Sequence, residues 1–278
     1  MERPIAILDS GVGGLRVMAE LARRLPAEDV IYLADTARGP YGRSPVAEVR
    51  RWTEECAYYM LRFDPKVLVV TCHTMGAAAG EFLRKRLRVP VFLSPGLLCQ
   101  SGLAERTAGA VAILASETSL ASGCYQRALG QAGVEVVCCP ASELLEALEQ
   151  GAGQLQGALR PLLERALEPA LRVRPAVGVV LLGEVSLGSV GGLVQEAMGS
   201  GVRVLEVTAR LVEEVERMLA MMNLLRTPGG VGRSYVFVSG DAERFRQCGE
   251  PMYGRPLGRV DVASPERFFR QMTSLSKE

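Results

Sequence analysis

Two short apolar runs each deliver a reactive side chain into a loop. Val67-Leu68-Val69-Val70-Thr71 leads to Cys72-His73-Thr74, and Val177-Gly178-Val179-Val180-Leu181-Leu182-Gly183 leads to Glu184-Val185-Ser186. A thiol beside an imidazole and a hydroxyl, just ahead of a helical pattern, has the setting of a base or nucleophile, because a helix N-terminus lowers a thiol pKa. The alternative is a buried, inert cysteine. A carboxylate closing an apolar strand is costly unless solvated, paired or working. Glu184 therefore reads as a general base, as a clamp on a substrate cation, or as an open loop carboxylate. The other cysteines (Cys56, Cys99, Cys124, Cys138, Cys139 and Cys248) lack polar neighbours of this kind and read as packing residues.

Two further segments could hold a ligand. Asp9-Ser10-Gly11-Val12-Gly13-Gly14 lies between a strand and a helix, where backbone N–H groups favour an anion. Arg16 stands where a dinucleotide fingerprint needs its third glycine, so a carboxylate- or phosphate-binding turn fits better, with a plain tight turn capped by Asp9 as the alternative. Asp35-Thr36-Ala37-Arg38-Gly39-Pro40-Tyr41-Gly42 is a Gly/Pro-punctuated loop that can set a tyrosine hydroxyl and backbone donors over a pocket, or can be a structured surface loop.

The elements that must position these residues alternate. Strands are expected at Pro4–Leu8, Val30–Leu33, Val67–Thr71, Val89–Leu93, Gly109–Leu114, Val134–Cys138, Val177–Leu182, Val202–Leu205 and Tyr235–Ser239. Helical patterns such as Leu15–Leu25, Pro45–Arg62, Gly76–Leu87, Ser119–Ala132 and Leu155–Leu171 lie between them. Short runs this apolar suit strands buried on both faces, and the alternation predicts parallel sheets. The chain also repeats itself. Ala6-Ile7-Leu8-Asp9-Ser10 reappears as Ala112-Ile113-Leu114-Ala115-Ser116, and Cys72 and Glu184 occupy matching junctions at nearly the same spacing. That favours a duplication whose carboxyl-end loops face each other across a ligand cleft.

Composition sets outer bounds. The 278 residues, 48% hydrophobic and 23% charged, suit a globular protein of one or two domains. A net charge of +1 gives no argument for nucleic acid or a membrane surface, and Arg50-Arg51 and Arg84-Lys85-Arg86 read as solvated helix faces. No apolar run has the length of a spanning helix, and no secretory signal pattern opens the chain. Seven cysteines without paired C-x-x-C spacing fit reduced thiols in the cytoplasm. The single histidine, His73, argues against a histidine-based zinc site or a Ser-His-Asp triad, so no metal is expected.

Taken together, Leu8–Leu15, Tyr32–Gly42, Ser122-Gly123-Cys124-Tyr125-Gln126 and Gly240-Asp241-Ala242-Glu243-Arg244-Phe245 resemble the glutamate racemases of the aspartate/glutamate racemase superfamily, over nearly the whole chain. The resemblance implies two pseudo-symmetric, doubly wound α/β domains with the active site between them. The first would comprise 1–95 plus 207–278 and the second 96–206. It implies no pyridoxal phosphate, no metal and no other cofactor, with two cysteines flanking the substrate α-carbon. Cys72 matches the thiol that acts on D-glutamate, and Asp9 matches the acid near it. Ser10, Pro40, Tyr41, Gly42 and Thr74 match substrate-binding loops.

The departures are equally specific. His73 stands for an asparagine, Ser116 and Ser119 for threonines, and Ser94 for the glutamate of a Glu-Pro-Gly segment. Glu184-Val185-Ser186 replaces Cys-Thr-His, so the second thiol, its hydroxyl neighbour and its histidine are all absent. The expectation is an isomerase-like protein transferring a proton at the α-carbon of a small amino acid or carboxylate, with Cys72 on one face and Glu184 on the other. Efficient glutamate racemisation is not expected, and D-glutamate should exchange its α-hydrogen faster than L-glutamate. A one-thiol decarboxylase or isomerase, and a non-catalytic paralogue binding a small acid or a protein, are the alternatives. A homodimer is the assembly to test.

Overall fold

The computed structural model describes residues 3–94, 109–130, 133–151, 156–173, 177–227 and 229–275. Cys99, Pro95, Gly96 and the expected boundary at 95/96 lie outside them. The alternation of apolar runs and helical patterns resolves into two sheets in which every strand pair is parallel. The first contains β1 (Ile5–Asp9), β2 (Val30–Ala34), β3 (Val67–Val70), β4 (Val91–Leu93), β9 (Ser234–Val238) and β10 (Val260–Val262), in the order β10-β9-β2-β1-β3-β4. The second contains β5 (Ala110–Ala115), β6 (Val136–Pro140), β7 (Val177–Leu182) and β8 (Arg203–Leu205), in the order β6-β5-β7-β8. The architecture is α/β and doubly wound.

Period-two alternation divides each strand between two cores. Ile5, Ile7, Val67 and Val69 join Val111, Ile113, Val179 and Leu181 in one apolar cluster shared by both sheets. Ala6, Leu8, Leu68 and Val70 turn to the opposite face of the first sheet, and Ala112, Leu114, Val180 and Leu182 to that of the second. The arginine clusters are solvent-facing, as expected: Arg50, Arg51, Arg84, Lys85 and Arg86 are all exposed.

The sheet orders place the site. In each sheet the first strand lies between the second and the third of its unit, so the direction of winding reverses between β1 and β3 and again between β5 and β7. Parallel sheets open a crevice beyond the carboxyl ends of the strands at such a reversal. Asp9 and Cys72 sit at one reversal, Ser116 and Glu184 at the other.

Three elements differ from the sequence expectation. The helix α3 (His73–Arg86) starts three residues earlier than Gly76, which makes Cys72 its N-cap. The pattern Ser119–Ala132 is two helices, Glu117–Ala121 and Cys124–Gly130, separated at Gly123, whose φ of +69° a helix interior cannot hold. β10 has only three residues and carries too little pattern to be read as a strand. No helix among the described residues is long and apolar enough to cross a membrane.

Candidate active site

Cys72 and Glu184 line the same narrow cavity of about 30 Å³, and both are nearly enclosed, at 6% and 7% exposure. The two strand ends are built alike. After β1, Ser10 Oγ donates to Cys72 Sγ at 3.2 Å; after β5, Ser116 Oγ donates to Glu184 Oε1 at 3.0 Å. In each half, the serine that follows the first strand holds the group that follows the third. Glu184 is thus the positional counterpart of Cys72.

Asp9 closes the thiol side. Its carboxylate accepts from the Thr71 hydroxyl and from Gly11 N at 2.9 Å, while Tyr32 OH donates to Gly11 O at 2.8 Å. Burial pushes the Asp9 carboxyl up to about 6, with the Thr71 and backbone bonds pulling back. The same burial, reinforced by the charges of Asp9 and Glu184, lifts the Cys72 thiol well above its ordinary range. Of the two readings open from sequence, this favours the buried thiol over one activated by its helix. The Ser10 hydroxyl and the backbone N–H of Met75 favour the thiolate, but desolvation in a carboxylate-lined cavity outweighs them.

The carboxylate side is also enclosed, which removes the reading of Glu184 as an open loop residue. Oε1 accepts from Ser119 Oγ at 2.8 Å as well as from Ser116, with Thr74 Oγ1 and Ser116 N more distant at 3.5 Å; Oε2 accepts from His73 N at 3.2 Å. Burial pushes Glu184 up to about 7, against the pull of these bonds toward the carboxylate. The His73 ring is 0% exposed and burial lowers it to about 3, so it is neutral. Its Nδ1 lies 3.6 Å from Glu184 Oε2 and neither ring nitrogen has a hydrogen-bond partner among the described residues.

The Pro40-Tyr41-Gly42 loop lines the same cavity and is fastened to the second sheet: Thr118 Oγ1 donates to Gly42 O at 3.0 Å and Ser142 Oγ to the same oxygen at 3.3 Å. A side chain at position 42 would press on Ser116 Cβ at 3.1 Å, so glycine permits this approach. The Tyr41 hydroxyl donates to the Asp35 carboxylate, within its own loop, rather than standing free over the pocket. Val185 and Ser186 are buried and also line the cavity.

Two acids escaped the sequence reading. Glu146 and Glu149 lie on α6 (Ser142–Glu149), where Leu144, Leu145 and Leu148 are buried, and both acids line the cavity. Glu149 bears directly on Gly11, where an added Cβ would be 2.0 Å from Oε2. Burial and the charges of Asp9, Glu184 and Glu146 push its carboxyl up to about 8. The helical spacing of those leucines could have marked the helix; nothing in the sequence marks which face meets the cleft. Beyond Glu146 and Glu149 the cavity adjoins a wider chamber of about 320 Å³, bounded also by Ser10, Pro40, Arg244 and Phe245.

Comparison with known proteins places this architecture. A family model described as Asp/Glu/Hydantoin racemase matches residues 6–215. A glutamate racemase of Thermus thermophilus is 35% identical over 247 residues, spanning 89% of this chain and 91% of the relative. The chain belongs to the glutamate racemase family, within the Asp/Glu racemase superfamily. A glutamate racemase of Herpetosiphon aurantiacus is 32% identical over 256 residues, 89% of this chain and 98% of that one. Among solved structures, the Thermus thermophilus glutamate racemase in complex with beta-chloro-D-alanine superposes with a TM-score of 0.81 at 32% identity, covering 95% of this chain and 97% of its own. Glutamate racemase isoform RacE1 from Bacillus anthracis shares the fold at a TM-score of 0.86 and 24% identity, over 95% and 98% of the two chains.

Proposed function

We propose that this protein moves a proton at the α-carbon of a small amino acid or carboxylate, without a pyridoxal cofactor, with Cys72 on one face and Glu184 on the other. The observation that carries the reading is the matched pair of serine hydrogen bonds, which hold a thiol and a carboxyl as counterparts across one cavity. An α-hydrogen is a very weak acid: its removal needs a base, and inversion needs in addition an acid on the opposite face, each with a pKa near the working pH. A Glu184 carboxyl near 7 meets that requirement. Cys72, lifted by burial, rests as the thiol. The resting protein is thus set for proton removal by Glu184 and delivery by Cys72. Asp9, near 6, lies beside the thiol to take and return its proton.

This resting state reverses the order expected from sequence. The enantiomer whose α-hydrogen faces Glu184, which the resemblance makes the L form, should exchange first. Proton NMR in heavy water of both enantiomers of several amino acids tests the reading, with Cys72→Ser and Glu184→Gln as controls. Exchange lost in either variant supports it; exchange that survives both overturns it. The small inner cavity favours a second reading, a non-catalytic paralogue, and no exchange from any amino acid in the wild-type protein would establish that reading instead. Release of carbon dioxide would identify a decarboxylase.

A further inference from the structure

Glu184 is more than a substitute for a thiol. Its carboxylate sits among donors from both sheets: Ser116 and Ser119 after β5, and the first residues of α3 after β3. The hydroxyls form one consistent set. Thr74 Oγ1 is 2.9 Å from Ser116 Oγ, and with one proton each, Thr74 can donate to Ser116 while Ser116 and Ser119 donate to Oε1. His73 adds its backbone N–H, and its fully buried ring has a nitrogen 3.6 Å from Oε2 that has no hydrogen-bond partner among the described residues. Among the described residues, no lysine or arginine lines the cavity. Neutral hydroxyl and N–H donors converging at a helix N-terminus hold a carboxylate without a counter-cation.

We infer that these donors form a carboxylate-binding site that Glu184 fills from its own chain, so that the cleft takes an amino acid with a neutral or cationic side chain and not a dicarboxylate. A second ligand carboxylate would find this seat occupied and would face Asp9, Glu146 and Glu149 as well, whereas a cationic group would be drawn to them. The ligand class rests on the proton-transfer reading above; the seat itself does not.

The shape of the deletion supplies the test. Glu184→Ala removes CH2–COO⁻, which is acetate less one hydrogen, and leaves Ser116, Ser119, Thr74 and His73 in place. Thermal unfolding of the full chain is measured in sodium acetate and in sodium chloride of equal ionic strength. The variant should gain roughly 2–5 °C at acetate ten times its Kd, beyond any change in the wild type. Glu184→Gln, whose amide fills the seat, should gain nothing, and adding Ser116→Ala and Ser119→Ala to Glu184→Ala should abolish the gain. If Glu184→Ala does not fold alone, recovery on refolding in acetate but not in chloride carries the same information. No acetate response from Glu184→Ala in either form, or an equal response from the wild type, overturns the seat.

The ligand class is read separately, by saturation-transfer NMR on the wild type. Ornithine should bind at least tenfold more tightly than glutamate; equal or tighter glutamate binding overturns that part. Because acetate binding needs no turnover, the seat can stand while proton transfer fails, and the reverse result is equally readable.

Discussion

Replacing Glu184 by glutamine should flatten the dependence of stability on pH. Glu184 titrates near 4.5 when unfolded and near 7 in the folded protein, a rise caused mainly by burial. Between those values the folded state holds a proton that the unfolded state has released. Stability therefore falls as pH rises through this window, and the contribution is fully present only below about 4.5. A rise of about two and a half units corresponds to about 3 kcal/mol, since each unit is about 1.4 kcal/mol. Asp9 and Glu149 are also raised by burial, and each feels the other acids, so removing one charge relaxes the others. The magnitude belongs to the cluster more than to one residue. The assay is urea unfolding of wild type and Glu184→Gln at several pH values from 5 to 8. The wild type should lose about 2.5 kcal/mol more across that range than the variant, with m unchanged. Parallel curves would refute the reasoning, because they would mean that Glu184 is solvated and titrates as in the unfolded chain.

Other outcomes follow from the same geometry. Iodoacetamide should label Cys72 more slowly than the half-buried Cys248 at pH 7.5 in the folded protein, as mass spectrometry will show, because burial holds Cys72 as a thiol. Faster labelling of Cys72 would restore the activated thiol expected from the helix N-terminus. Gly14→Ala should destabilise by about 1–3 kcal/mol in urea, since its Cβ would lie 2.3 Å from Thr71 Oγ1 and 2.7 Å from Asp9 Oδ2; an unchanged midpoint would contradict that close approach. Lys66→Met should cost roughly 3–5 kcal/mol by leaving Glu28 buried without its cation, and Glu28→Gln added to it should recover part of the loss.

Much of the scaffold was legible because the strands are nearly continuous apolar runs. Val177–Leu182 matches its expected bounds, and the other expected strands shift by only one or two residues. The echo between Ala6–Ser10 and Ala112–Ser116 was legible for the same reason: a buried strand and its serine repeat in type as well as place. The electrostatics were not. The sequence shows a helix following Cys72 but not the depth of the cleft, and depth decides whether the helix N-terminus or desolvation sets the thiol. Likewise Ser116, Ser119 and Glu184 are visible as polar residues at strand ends, yet their convergence on one oxygen depends on how two distant loops face each other. Glu146 and Glu149 look like the solvated side of an amphipathic helix, and only the packing of that helix over Gly11 turns them inward.

The return of the chain to its first sheet has a consequence for the order of assembly on the ribosome. β2 pairs with β9 along Val30–Ala34, opposite residues 234–238. Until that distant stretch has been synthesised, β2 presents an open edge of unpaired backbone groups, the kind of surface that recruits stray strands. The four strands of the second sheet are contiguous, between Ala110 and Leu205, and pair with no strand downstream. The later-made sheet can therefore close first, and the nascent first sheet must wait beside it as an unfinished surface. Synthesis that stalls between residues 205 and 234 would leave a complete second sheet and an exposed, aggregation-prone first one, so this interval is where the protein should depend most on a chaperone.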